Sequence, residues 1–295
     1  MVMIFGKPLI LLYGQLTLGL INGAFYALLS LGLAVIFGLL NVVNFAHGAL
    51  FMLGAFVTWG LLTYLGIGYW PSLVLAPLVI GVLGAVMQRT LIRRLAGLDP
   101  LYGLLLTFGC ALVIEGLMRN QFGSSGVPYA IPEALSGAVN LGFMVLPRYR
   151  AWVVIAAAVM CLAVWLVIER TRLGALLRAA TENAPLVQAF GVNVPRMVTL
   201  TYAAGAALAA FGGVLAAPMN SVNPNMGTNL IIVVFAVVVI GGMGSILGSI
   251  ITGFGLGIIE GLTKVYYPEG SATVIFVVMV IVLLLRPAGL FGKAA

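Results

Sequence analysis

From Leu9 to Gly66 the chain is apolar almost throughout, and a run of that length decides the class of fold. A helix needs only about 20 mostly apolar residues to cross a bilayer. The pattern then recurs at Trp70–Val86, Leu101–Leu117, Trp152–Ile168, Met197–Ala217, Leu230–Ile240, Ser249–Leu262 and Thr273–Leu285. Only 7% of the 295 residues are charged, against roughly 25% in soluble domains, so a water-facing surface of ordinary size could not be covered. A transmembrane barrel would alternate in segments of about 10 residues. These runs are instead continuous and rich in Leu, Val, Ile, Ala and Gly. The sequence predicts an all-α polytopic membrane protein, a single domain over residues 1–295 with eight to ten spanning helices. Met1–Pro8 has no small-residue cleavage site and reads as retained rather than as a removed leader.

Two places break the apolar pattern. The first stretch, Leu9 to Gly66, is too long for two simple spans and short for three, and the segment Phe37–Gly48, holding Asn41, Asn44 and His47, is expected to interrupt it. The second is Gly241-Gly242-Met243-Gly244-Ser245. Non-helical backbone at membrane depth is tolerated only where protein or a water-filled cavity satisfies it. Asn44, His47, Gly241, Gly242 and Gly244 are therefore candidates for lining a pathway. The competing reading is structural: Asn44 and His47 hold the broken backbone in register, and the glycines serve close packing. Gly19/Gly23, Gly81/Gly84, Gly205/Gly212/Gly213 and Gly253/Gly257 are expected to let helix backbones approach closely.

The formal charge of +7 orients the chain rather than pointing to nucleic acid. Arg89, Arg93 and Arg94 share one short loop; Arg170, Arg172, Arg178 and Arg196 share another; Arg286 and Lys293 lie near the end. Placing these clusters in the cytoplasm satisfies the positive-inside rule and makes successive loops alternate sides. Arg119, Arg148, Arg150 and Lys264 then fall on the opposite side, and the C-terminus is cytoplasmic.

Little in the chain carries covalent or ionic chemistry. Cys110 and Cys161 sit in apolar runs and read as packing residues. Glu115/Arg119 and Glu260/Lys264 have the favourable acid-before-base spacing of a helix surface, and near helix ends they read as interfacial pairs or as the mouth of a pathway. Buried charge networks of the kind that mark ion-coupled carriers are missing, although sodium can be held by carbonyl and hydroxyl oxygens alone. One histidine cannot build a His-rich metal site, and no G-x-x-x-x-G-K-[ST] phosphate loop occurs. No catalytic residue and no cofactor are expected, and any use of ATP needs another subunit.

The cytoplasmic segment 169–196 reads as two short amphipathic helices. Leu173, Leu176, Leu177 and Ala180 share one face, and Leu186, Val187, Phe190 and Val194 share another. Pro185 is expected to separate them, and Gly191 to end the second. Such faces need a cover: the membrane surface, the rest of the chain or a docked protein.

The run Gly19-Leu-Ile-Asn-Gly-Ala-Phe-Tyr-Ala-Leu-Leu-Ser-Leu-Gly-Leu, followed by Asn41-Val-Val-Asn-Phe-Ala-His-Gly48, resembles the permease subunits of bacterial branched-chain amino acid ABC importers, closest to the LivH-like type. Three further stretches carry the same resemblance: Arg172-Leu-Gly through Arg178-Ala-Ala to Phe190-Gly-Val-Asn193; Asn223-Pro-Asn after Gly212-Gly-Val-Leu; and Ile240-Gly-Gly-Met-Gly-Ser-Ile-Leu-Gly248 with Gly253 and Glu260. It covers essentially the whole chain. It implies an inner-membrane location, a second permease subunit of the M type, two cytoplasmic ATPase subunits and a periplasmic substrate-binding protein. It also implies a coupling helix within Gly174–Gly191, for which Leu177, Arg178, Thr181, Glu182 and Gly191 are the expected contact-forming or shaping positions.

The leading expectation is a non-catalytic importer subunit for branched-chain or other hydrophobic amino acids. Urea, short amides and aromatic carboxylates are alternative substrates of the same class. A stand-alone secondary carrier and an uncoupled channel or scaffold are the rivals from other classes.

Overall fold

A computed structural model of the chain describes residues 3–4, 7–40, 43–95, 97–219 and 221–292. Eleven α-helices account for nearly all regular structure among them: α1 (Leu9–Leu40), α2 (Ala46–Leu65), α3 (Tyr69–Thr90), α4 (Pro100–Phe122), α5 (Arg148–Arg170), α6 (Arg172–Glu182), α7 (Ala184–Ala189), α8 (Val194–Ala216), α9 (Met226–Gly241), α10 (Ile246–Tyr266) and α11 (Val274–Leu285). Three short 3-10 turns, at Ile92–Leu95, Glu133–Leu135 and Pro268–Gly270, and two short antiparallel pairs, β1 (Met3–Ile4) with β2 (Lys7–Pro8) and β3 (Ala138–Asn140) with β4 (Val145–Pro147), complete the set.

Seven of the helices are long and apolar enough to cross a membrane, and α9 and α11 are shorter apolar helices. This is an all-α multi-pass membrane protein. The stretch from Leu9 to Gly66 resolves into two helices rather than two and a fraction. The first absorbs the excess: 32 residues make a helix of about 48 Å, beyond the roughly 30 Å hydrocarbon core. The break is narrower than Phe37–Gly48, because helix persists to Leu40 and resumes at Ala46. Asn41 lies outside the described residues.

The chain forms two compact units. The first comprises residues 1–30, 131–162 and 233–295. Its organising contact is the first half of α1 against α10. A Cβ on Gly19 would collide with the Gly257 carbonyl, one on Gly257 with the backbone of Gly19 and Gly23, and one on Gly253 with the backbone of Ala27. Glycine is required at these positions because backbone meets backbone with no room for a side chain. Ser30 Oγ adds a hydrogen bond to the Ser249 carbonyl at 3.2 Å.

The second unit comprises residues 31–130 and 163–232 and is built around α8. Gly213 of α8 packs against Phe51 and Ala55 backbone of α2, Gly54 of α2 against Ala210, and Gly84 of α3 against Ala206. Gln88 of α3 accepts a buried hydrogen bond from Thr199 of α8 at 2.6 Å. By contrast α4 leaves most of its surface exposed, with Leu101, Leu105, Leu112, Val113 and Leu117 all outward. Large apolar faces of this kind suit lipid or another membrane subunit.

Candidate functional site

The α1–α2 break is held from two sides. Phe45, the residue before α2, makes no side-chain cap. Its backbone N–H instead donates to Thr107 Oγ1 of α4 at 3.2 Å, and the Thr107 hydroxyl lies 3.2 Å from the Val43 carbonyl and 3.0 Å from that of Leu104. Thr107 thus caps a helix from a different helix, answering a donor that a helix N-terminus leaves open. On the other side, the His47 ring fills a notch at Gly32 of α1: a Cβ there would come 2.9 Å from Cε1 and 3.1 Å from Nε2. His47 is only 1% exposed. Asn44 is equally buried.

At the second break, Gly242 and Gly244 have φ of 100° and 83°, in the left-handed region that favours glycine. Gly241 serves a different end: its Cα faces the Gly248 backbone, and a Cβ would lie 2.7 Å from the Gly248 carbonyl carbon. Ser245 caps α10 by accepting from the Gly248 N–H at 3.2 Å. The last carbonyls of α9 are met by the C-terminal segment, with Leu290 N–H donating to Ile240 O at 2.8 Å and Phe291 N–H to Gly241 O at 3.1 Å. Gly242 combines bend and tight packing, since a Cβ on it would also strike the Gly292 backbone.

The segment after α5 folds as two helices, as its amphipathic pattern predicts, but Pro185 does not separate them. The separator is Asn183, whose side chain accepts from the Leu186 N–H at 3.0 Å; Pro185 sits in the first turn of α7, where its missing N–H costs nothing. Gly191 follows α7 with φ of 82°. Ala180, Val187 and Val194 form a small buried core with Ala184, Val192, Met197 and Val198 around it, so α6, α7 and the start of α8 pack as one body. Leu177 is half-buried, Arg178, Thr181 and Glu182 are exposed, and Phe190 is 80% exposed. Arg178 also turns back on α5, donating to the Ile168 carbonyl at 3.1 Å and facing Glu169 at 3.5 Å. A cation at those last carbonyls is favoured by the helix dipole. Gly174 makes the approach possible, since a Cβ there would overlap the Ile168 carbonyl.

The acid–base pairs do more than bridge one helix surface. Glu115 pairs with Arg119 at 2.6 Å, and the pair meets the start of α9: Arg119 donates to Oδ1 of Asn225, the residue before the helix, at 2.7 Å and Thr228 Oγ1 of α9 to Glu115 Oε2 at 2.6 Å. Nearby, Val127 and Val222 pair through backbone, and burial, with Tyr69 adding to it, pushes the Tyr129 hydroxyl up to about 12. In the first unit Glu260, mostly buried, takes Lys264 at 2.5 Å, the Tyr26 hydroxyl at 2.8 Å and Asn22 Nδ2 at 3.4 Å.

Residues 15–283 match the family model described as the branched-chain amino acid transport system / permease component. The chain belongs to this family. It is 30% identical to the high-affinity branched-chain amino acid transport system permease protein BraD of Pseudomonas aeruginosa over 95% of each chain. It has the same identity and coverage with the corresponding LivH of Escherichia coli. A probable branched-chain amino acid transport permease protein LivH of Methanocaldococcus jannaschii is 27% identical over 75% of this chain and 73% of that one. No solved structure matches.

Two polar residues of this permease escape sequence reasoning. Thr107 and Tyr26 each lie in an apolar helix and meet partners far away in sequence. Only Tyr26 carried a local signal, standing four residues after Asn22 on one helix face. Among the described residues no group of three or more His, Cys, Asp or Glu is arranged to hold a metal ion.

Proposed function

We propose that this chain, as one permease domain of 295 residues, forms half of the translocation pathway of an ATP-driven importer for branched-chain and related hydrophobic amino acids. The full-length similarity to permeases named for branched-chain amino acid transport carries the reading. It sits in the bacterial inner membrane with its C-terminus in the cytoplasm, the orientation that its basic loops favour. Its partners are a second permease subunit, two ATPase subunits and a periplasmic binding protein. It performs no covalent chemistry itself; the ATPases hydrolyse ATP and the binding protein does most of the selecting.

The α6–α7 segment is the ATPase dock. It is a packed body of its own that still presents Leu186 and Phe190 outward, which supports a protein partner over self-cover. Leu177, Thr181, Glu182 and Gly191 shape that surface. Arg178 contributes through its hold on α5 as well as through its charge. Asn44, His47, Gly241, Gly242 and Gly244 set the two helix breaks, and the burial of the first four favours a structural part in shaping the pathway over direct contact with the solute.

Uptake of labelled leucine by cells carrying the whole system, with and without the ATPase genes, tests the proposal. Loss of saturable uptake on ATPase deletion is expected. Undiminished uptake would overturn the importer reading, and ATPase co-purification surviving deletion of 172–190 would overturn the dock.

A further inference from the structure

At one end of the second unit, exposed arginines stand without an ion-pair partner. Arg89, Arg93 and Arg94 lie at the end of α3 and in the 3-10 turn Ile92–Leu95 that follows it. Arg170, Arg172 and Arg196 lie at the end of α5, the start of α6 and the start of α8. Among the described residues the ion pairs use other cations, Arg119, Arg178 and Lys264. The acids at this end do little to neutralise them. Glu169 faces Arg178 and Asp99 accepts from the Leu101 N–H, which leaves Glu182.

Packing brings these helix ends together. Gln88, next to Arg89, accepts from Thr199 at 2.6 Å, and Arg196 lies one turn before Thr199 on α8. Val194, at the same end of α8, is packed into the α6–α7 body. The end of α5 is tied to α6 by Arg178, which donates to the Ile168 carbonyl at 3.1 Å. All of these arginines therefore stand at or beside the ends of the candidate spans Tyr69–Leu95, Arg148–Arg170 and Val194–Ala216. Span ends meet the headgroup region of a bilayer.

Three features point to a bound phosphate. Each cation is arginine, whose planar fork takes two phosphate oxygens where lysine offers a point charge. The first turn of α6 holds Arg172 and no acid, although a helix N-terminus favours an anion. Thr171 before it makes no side-chain cap, its hydroxyl turning back to the Val167 carbonyl. An uncapped N-terminus beside arginines is suited to phosphate. Lastly, Leu91, Leu98 and Leu173 are exposed among the arginines and offer acyl chains a surface. The outward apolar residues of the α6–α7 dock, Leu186 and Phe190, lie on and just after α7 instead.

We infer that this arginine rim is a binding site for an anionic phospholipid, its phosphate held by arginines of α3, α6 and α8 and its chains along the neighbouring leucines. Clustered basic residues between helix ends recognise lipid headgroups in this way. The site is separate from the solute pathway and does not depend on which solute is carried.

Native mass spectrometry tests it on the full-length permease purified in neutral detergent with its co-expressed partners, as cardiolipin, phosphatidylglycerol or phosphatidylcholine is added. Wild type should bind the two anionic lipids more tightly than phosphatidylcholine. R89Q/R93Q/R94Q should lose roughly tenfold or more of that affinity, since each arginine near a membrane surface is worth roughly fivefold. R89K/R93K/R94K keeps the charge without the fork and should fall severalfold, whereas R148Q/R150Q, in the first unit, should bind as wild type does. Wild-type affinity in the glutamine variant would overturn the site. Wild-type affinity in the lysine variant would reduce it to diffuse charge attraction and overturn it too. A glutamine variant that keeps its lipid but loses its ATPase would assign the arginines to an acidic protein surface. Displacement of cardiolipin by inorganic phosphate at equal phosphorus would make it a free-anion site. A second measurement needs no variant: cardiolipin should raise the thermal midpoint of delipidated wild type more than phosphatidylcholine does, and equal shifts would also overturn the inference.

Discussion

The Tyr26 hydroxyl donates to Glu260 Oε2 at 2.8 Å, joining α1 to α10 across 234 residues of sequence. The bond sits beside the glycine seam in which Gly19 and Gly23 meet Gly257. It satisfies the second oxygen of a mostly buried carboxylate whose Oε1 takes Lys264 and Asn22. Removing the hydroxyl in Y26F should destabilise the protein by about 1.5–3 kcal/mol, the range for hydrogen bonds to charged groups. A lowered thermal unfolding midpoint of the detergent-solubilised protein checks this, and E260Q should lower it too.

The seam itself gives a sharper contrast. Gly255 and Gly257 lie on the same helix, yet a Cβ on Gly255 meets nothing within 4 Å while one on Gly257 strikes backbone. G255A should be neutral or raise stability by up to about 1 kcal/mol through helix propensity. G257A should cost about 1–3 kcal/mol from overpacking or prevent accumulation in the membrane. Thermal midpoints and expression levels of the two variants decide it.

Thr107 caps α2 from outside. T107V keeps the shape and removes the hydroxyl, leaving the Phe45 N–H unanswered at a cost of about 1–3 kcal/mol, and T107S should restore most of it. Hydrogen exchange at the first turn of α2 is the direct readout, rising in T107V and returning toward wild type in T107S.

Phe190 makes the opposite kind of prediction. At 80% exposed it has little to lose in the isolated chain, so F190S should move stability by no more than about 0.5 kcal/mol. If α6–α7 docks an ATPase, the same variant should weaken co-purification of that subunit severalfold. G174A should instead disturb the segment itself, because the added Cβ overlaps the Ile168 carbonyl.

Much of this architecture is legible from pattern. Uncharged runs specify spanning helices whatever their neighbours. The glycines at 241–245 mark a real break because Gly242 and Gly244 need conformations that other residues resist. Pro185 misleads, because proline ends a helix only where the preceding turn already exists; in the first turn of α7, behind the Asn183 cap, it fits. Arg178 reads as a free docking charge, but its partner is a backbone carbonyl of Ile168, and carbonyls leave no trace in residue identity. Thr107 is illegible for a related reason. A lone polar residue in an apolar run has no periodicity, and its partner, 62 residues away in the case of Thr107 and Phe45, is found only by folding.

The central claim is that this permease moves solute only when a separate ATPase drives it. Labelled leucine uptake into proteoliposomes tests it most directly, comparing the permease pair alone, the pair with its ATPases and ATP, and the full set with the binding protein. The account predicts concentrative uptake in the full set, abolished by omitting ATP or the ATPases. Concentrative uptake by the permease alone under a proton or sodium gradient would contradict it.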